Sequence, residues 1–233
     1  MSVLVSGCSF TACSTWPNIL FSGHTVNNVG AGAAGNQYIA QSIIDSVRKQ
    51  RPDFVFLLWS GLRRLDISFP KDYFNSEFKS WQYKGSTSTS CILFSGGDWT
   101  RDDGNDPPAL WGHPIVDAYF KMQYKNKVQD YLMDQSSQAI MNCHNFLESQ
   151  SINYKFSFIY NIFNPYKDEA MLGPPVTKNS NYFTYLNWEK YIDTTPLEWA
   201  IKHDHLSNDN FHPTQTGMNA WAEYIKPRFK ELS

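Results

Sequence analysis

Charge is scarce in this sequence. Only 18% of the 233 residues are Asp, Glu, Lys or Arg, and 20 basic residues against 22 acidic ones leave a formal net charge of −2. No basic surplus is available to neutralise a phosphate backbone, and sign asymmetry along the chain is weak. Both absences argue against a nucleic-acid partner and against an anionic membrane surface. No apolar run approaches the ~20 residues of a bilayer-crossing helix. The opening Met1-Ser2-Val3-Leu4-Val5-Ser6-Gly7 has neither a basic leader nor a long apolar segment, so a cytoplasmic location is expected. Cysteine is sparse as well. Cys8, Cys13, Cys91 and Cys143 do not form the two close pairs of a tetrahedral metal site, so free thiols, no disulfide and no metal are expected.

Apolar and aromatic residues, by contrast, are plentiful: 42% of the chain is hydrophobic and 16% aromatic. That is enough to bury a sizeable core, and with no repeat or low-complexity linker the chain reads as one domain over residues 1–233. Val3-Leu4-Val5 is a short β-type run ending at Gly7. His24 to Val29 forms a second, and the small residues Gly30-Ala31-Gly32-Ala33-Ala34-Gly35 follow it. From Asn36 to Gln50, Ile39, Ile43, Ile44 and Val47 recur at helical spacing, with Asn36 as the expected N-cap. Phe54-Val55-Phe56-Leu57-Leu58-Trp59 then runs apolar without alternation, the mark of a strand covered on both faces.

Strand, loop, helix, strand is a βαβ rhythm. It predicts a three-layer α/β/α sandwich around a mostly parallel sheet. Residues 66–114, rich in Ser, Gly, Asp and aromatics, interrupt the rhythm as an irregular insertion. Ile115 to Gln150 reads as helix, Tyr154 to Phe163 as strand and Asn164 to Asn208 as irregular. Thr214 to Leu232 reads as a closing amphipathic helix, with Met218, Trp221, Ala222, Ile225 and Phe229 on one face. Trp59 and Trp221 fall on core faces. Trp81, Trp99 and Trp111 fall in the insertion, where they form a satellite core or offer stacking faces to a ligand.

Two segments at opposite ends of the chain carry chemistry. Gly7-Cys8-Ser9-Phe10-Thr11 follows the first strand and places a hydroxyl at its carboxyl end, where open α/β sheets hold ligands. Asp209-Asn210-Phe211-His212-Pro213 precedes the last helix. Asp and His three residues apart can meet carboxylate to Nδ1, which leaves Nε2 outward, while Thr214 can cap the helix. Cys8 is a competing nucleophile and Asp204 a competing acid. His203-Asp204-His205 has no third ligand nearby and reads as a polar loop rather than a metal cluster. Cys143-His144 reads as a packed or surface pair, and His113-Pro114 lies in the insertion.

Taken together, the strand with Gly7-Cys8-Ser9 and the Asp209-x-x-His212-Pro213 segment resemble the first and last blocks of the SGNH (GDSL-like) hydrolases. The Gly-Cys-Ser-Phe-Thr start, Gly35-Asn36 and Trp59-Ser60 followed by Arg63 are similar to a divergent bacterial and phage branch. The resemblance implies a flavodoxin-like sheet, Ser9 as nucleophile, His212 as general base and then acid, and Asp209 as its orienting partner. It covers the N-terminal third and about the last thirty residues. The family's second block, counted from Asn27 or Asn28, lands on Gly32 or Ala33, each able to offer a backbone N–H to an oxyanion. Its third block departs from the pattern: Leu62 stands where an Asn is expected, leaving Ser60 or Arg63 as side-chain donors. The implied activity is ester hydrolysis without a cofactor, on a small-molecule or glycan ester such as a carbohydrate O-acetyl group. A non-catalytic glycan-binding or structural module of a larger assembly is the alternative, and the oligomeric state stays open.

Overall fold

The chain's two most apolar runs become adjacent parallel strands in the computed structural model, which describes residues 1–12, 14–70, 84–86, 90–94, 118, 129–163, 176, 181, 183–208 and 211–232. Among these residues the strands are β1 (Ser2–Gly7), β2 (Thr25–Asn28), β3 (Phe54–Trp59), β4 (Asp66–Pro70), β5 (Lys84–Ser86), β6 (Ser90–Phe94) and β7 (Asn153–Phe158). The helices are α1 (Ser9–Ala12), α2 (Trp16–Leu20), α3 (Asn36–Lys49), α4 (Gln129–Ser149), α5 (Pro196–Lys202) and α6 (Gln215–Ile225). Two 3-10 segments, Trp188–Lys190 and Lys226–Leu232, join them.

The main sheet has the order β2-β1-β3-β7 and is parallel throughout. Val3 lies beside Val26 on one side and Phe54 on the other, and Phe54 beside Asn153. The chain steps from β1 outward to β2, then crosses back to β3, so its direction of winding reverses at β1. A crevice opens at such a reversal, outside the carboxyl ends of the strands.

Alternation along β3 sorts the two faces. Phe54 and Phe56 meet Trp16, Phe21 and Phe229, with ring centroids 5.5–6.1 Å apart, beneath α2, α6 and the last 3-10 segment. Trp59 faces the other way, onto His144 of α4, which packs against α3. Helices on both faces of one parallel sheet make the expected three layers.

Several boundaries differ from the sequence reading. Gly35, not Asn36, is the N-cap of α3 and Asn36 is its first helical residue. The closing helix ends at Ile225 and continues as 3-10, yet Met218, Trp221, Ala222, Ile225 and Phe229 are all buried as the pattern required. The irregular stretch Asn164 to Asn208 contains the helix α5, opened by Pro196. The insertion is not wholly irregular either. Its described parts form an antiparallel sheet of order β4-β6-β5, with Asp66 beside Phe94 and Ser86 beside Cys91. Overall composition hid the short β-type run Ser90-Cys91-Ile92-Leu93-Phe94. Trp81, Trp99, Trp111 and His113 lie outside the described residues. Cys8 and Cys143 are free and buried, and no described helix is long and apolar enough to cross a membrane.

His144 has a measurable consequence. Its Nε2 accepts from Trp59 Nε1 at 3.2 Å, and the ring packs on Tyr154 and Phe156. Burial pushes its pKa down to about 3, so it is neutral in the fold. The unfolded chain protonates this imidazole below about 6.5 and so binds more protons there than the native state does. The contribution is therefore complete above pH 6.5 and shrinks as pH falls toward 3; about 2 kcal/mol is gone by pH 5. Burial pushes Asp66 and Glu198 up to about 7, and they act in the opposite sense. His144→Gln keeps an acceptor for Trp59 but does not titrate. Its unfolding free energy, measured between pH 7.5 and 5, should fall by about 2 kcal/mol less than that of the wild type. Parallel pH curves would refute this assignment.

Candidate active site

Ser9 opens α1 two residues beyond the end of β1, beside the point of reversal. The turn needs glycine at position 7: a Cβ there would lie 2.2 Å from Thr11 Oγ1 and 3.0 Å from the Leu58 carbonyl oxygen. The Cys8 carbonyl accepts from Thr11 N–H at 2.9 Å and Ala12 N–H at 3.0 Å, closing the turn. The two neighbouring side chains differ in exposure. Cys8 is 0% exposed, whereas Ser9 is part-exposed.

The Ser9 hydroxyl lies 3.1 Å from His212 Nε2. His212 sits between α5 and α6 on a segment that folds back on itself. Ser207 N–H donates to the His212 carbonyl at 2.8 Å, and Thr214 N–H to the His205 carbonyl at 2.7 Å. Leu206 and Pro213 form an antiparallel bridge between those bonds. Thr214 caps α6 as expected, its Oγ1 accepting from Gly217 N–H at 3.0 Å. The imidazole packs against Phe10 at 5.4 Å and Phe211 at 5.2 Å.

Two sets of contacts bring the chain's ends together. Trp16 and Trp221 meet edge to face at 5.3 Å in the core, and Trp16 Nε1 donates to the Phe10 carbonyl at 2.8 Å. At the surface, Thr15 Oγ1 donates to Asn219 Oδ1 at 2.8 Å and Gln215 Nε2 to Ser14 Oγ at 3.0 Å.

Asp209 lies outside the described residues. Asp204 is exposed at φ 56°, and its neighbours His203 and His205 both lie against Trp199, at 4.3 and 5.6 Å. Among the described residues no cluster of three His, Cys, Asp or Glu side chains is arranged to hold a metal.

The loop after β2 is laid along the turn that carries Ser9. Asn28 Nδ2 donates to the Thr11 carbonyl at 2.8 Å, Asn28 Oδ1 accepts from Gly30 N–H at 3.0 Å, and Ala31 N–H donates to the Gly7 carbonyl at 3.0 Å. Beyond it, the N–H groups of Gly32 and Ala33 meet no acceptor among the described residues. Gly32 is exposed. Ala33 is held at φ 66°, a left-handed conformation that costs a non-glycine residue roughly 1–2 kcal/mol.

After β3, Ser60 is buried, its N–H is taken by Asn36 Oδ1 at 2.8 Å, and its hydroxyl has no partner among the described residues. Leu62 and Arg63 are buried beside it. Sequence reasoning missed three residues at this sheet edge. Asn36 reads in the sequence as a cap but turns its side chain to Ser60 and Gly61. Asp66 accepts from Gly35 and Tyr38 N–H groups at 2.9 Å each; burial raises its pKa, against the pull of those donors and of Arg64. Glu198 accepts from Asn161 N–H, just past β7, at 2.7 Å and from the Thr195 hydroxyl; burial raises its pKa too.

No family model matches the chain, and no curated protein matches it. Solved structures do. A psychrotrophic esterase from a Pseudoalteromonas species, inhibited by monoethylphosphonate, is 10% identical with a TM-score of 0.50, over 99% of this chain and 97% of that one. A GDSL-like lipase from Parabacteroides merdae is 10% identical with a TM-score of 0.51, over 100% and 96%. A catalytic mutant of an acetylxylan esterase from Geobacillus stearothermophilus is 12% identical with a TM-score of 0.50, over 97% and 92%. At such identities the likeness is one of fold. The parallel sheet, its order and these neighbours agree that the chain has the SGNH (GDSL-like) hydrolase fold.

Proposed function

We propose that the protein is a serine esterase that cleaves an acyl ester through Ser9 and His212. The observation that carries this reading is the 3.1 Å contact between the Ser9 hydroxyl and His212 Nε2 at the reversal point of the sheet, within hydrogen-bond reach for a nucleophile and its base. In the first half-reaction Ser9 Oγ bonds to the acyl carbon while its proton passes to Nε2. The tetrahedral oxyanion then collapses, the C–O bond to the alcohol breaks, and His212 returns the proton to the departing oxygen. Water enters next, loses a proton to His212 and adds to the acyl-enzyme. Collapse frees the carboxylic acid and restores the Ser9 hydroxyl. Asp209, three residues before His212, is the group we assign to hold Nδ1–H.

For the oxyanion we assign the N–H of Ser9, the first residue of α1, and the N–H of Gly32 or Ala33. The buried Ser60 hydroxyl and Arg63 are the side-chain donors in place of the expected amide. For the substrate we propose an O-acetyl group on a carbohydrate, a choice supported by the acetylxylan esterase among the structural neighbours.

The test is incubation with a fluorophosphonate probe, p-nitrophenyl acetate and acetylated xylan. The expected result is a label on Ser9, release of p-nitrophenol and release of acetate. A folded protein that takes no label and hydrolyses neither ester would instead be a non-catalytic module on the hydrolase scaffold.

A further inference from the structure

A carboxylate that touches neither Ser9 nor His212 in the described contacts holds the loop after β2 from behind. Asp66, the first residue of β4, is buried, and each of its oxygens accepts a backbone N–H: Oδ1 from Gly35 and Oδ2 from Tyr38, both at 2.9 Å. Gly35 is the N-cap of α3 and Tyr38 its third residue, so Asp66 satisfies donors that a helix start leaves without intrahelical partners. A Cβ on Gly35 would lie 2.7 Å from Asp66 Oδ1, so the carboxylate reaches this position only because residue 35 is glycine.

The neighbouring groups complete a cross-link between two strand exits. The Asn36 carboxamide, 1% exposed, accepts from Ser60 N–H at 2.8 Å and donates to the Ser60 and Gly61 carbonyls at 3.3 and 3.4 Å. Arg64 Nη1 donates to the Ala34 carbonyl at 3.2 Å. Residues 34, 35, 36 and 38 are thus tied to the segment 60–66. They lie directly after Ala33, whose left-handed backbone persists only where its surroundings over-determine it.

Resting on the esterase reading above, we infer that Asp66 is a positioning residue: it fixes Gly35 and the start of α3 so that the loop at Gly32 and Ala33 keeps its N–H groups aimed at the oxyanion formed on Ser9. Bonds to two separate points of one backbone, Gly35 and Tyr38, suit this task, because they set the loop's direction as well as its place. A displacement of about 1 Å in such a group costs up to 100-fold in rate.

Asp66→Ala and Asp66→Asn in the full chain test it. Asn keeps one acceptor but sets its NH₂ group against the second backbone N–H, so its effect should be the smaller. Hydrogen exchange at Gly35 and Tyr38 should quicken at least tenfold in Asp66→Ala and less in Asp66→Asn, with Val5 and Leu57 in β1 and β3 unchanged. With p-nitrophenyl acetate, kcat should fall roughly 10- to 100-fold while KM stays within about twofold, the pattern of an interaction made in the transition state alone. Unchanged exchange at Gly35 and Tyr38, an equal increase across β1 and β3, or an equal loss in kcat and affinity would each overturn the inference. A wild-type protein without esterase activity would sink the proposed function instead, and the exchange measurements would still decide whether Asp66 holds the loop.

Discussion

Replacing Ser9 by Ala is expected to lower kcat/KM for p-nitrophenyl acetate by roughly 10⁴-fold or more and to abolish fluorophosphonate labelling, because the proposed acyl-enzyme forms on its hydroxyl. His212→Ala should fall nearly as far. A hydroxyl at its ordinary pKa is a poor nucleophile, and Nε2 at 3.1 Å is the base we propose for its proton. Because the two side chains act as one unit, Ser9→Ala combined with His212→Ala should cost little more than either change alone. Cys8→Ala supplies the contrast. That thiol is wholly buried, so the variant should still be labelled at Ser9. Retention of more than a tenth of wild-type activity in Ser9→Ala, or loss of the label in a folded Cys8→Ala, would remove Ser9 from the nucleophile's place.

The parts of the fold legible in the sequence are those whose causes are local or that burial writes continuously into the chain. Phe54 to Trp59 reads as a two-sided strand because every residue of it is buried, and Thr214 reads as a cap because its partner is three residues away. The Ser9–His212 pair was legible because each half sits in a short segment of recognisable chemistry, although nothing local says that the halves meet. What was missed depends on distant partners. Asn before a helical run is a favoured cap, yet Gly35 takes that role and Asn36 is drawn off by Ser60, 24 residues away. Asp66 looked like the first residue of an irregular stretch, because its partners Gly35 and Tyr38 lie 31 and 28 residues back. The β4-β6 pairing likewise joins distant residues, Asp66 and Phe94, within a stretch that composition alone reads as loop. Asp209 lies outside the described residues, and its three-residue spacing to His212 is what supports its proposed role.

Trp16 and Trp221 make the core part of the contact between the two ends, and truncating the second should therefore damage both stability and catalysis. Trp221 is fully buried, lies edge to face with Trp16 and donates Nε1 to the Thr194 carbonyl at 2.9 Å. Trp221→Ala removes a large core side chain and that hydrogen bond, at a cost of about 3–5 kcal/mol. Trp221→Phe keeps an aromatic ring against Trp16, loses the indole donor, and should cost less. The site feels the change by two short routes, one through the Trp16 ring and its hydrogen bond and one along the chain. Trp16 holds the Phe10 carbonyl, one residue from Ser9, and Trp221 lies on the helix that follows His212. In Trp221→Ala the pair should therefore drift apart, so activity under conditions where the variant is still folded should fall more than tenfold. Tyr224→Ala, on the exposed side of the same helix, should stay within about 0.5 kcal/mol of wild type and keep its activity. Urea unfolding followed by circular dichroism, with p-nitrophenyl acetate turnover on the folded fraction, separates the two effects. A Trp221→Ala variant that loses stability but keeps full turnover would show that the sheet and surface bonds alone align Ser9 with His212. One within about 1 kcal/mol of wild type would show that the Trp16–Trp221 contact is not what joins the ends.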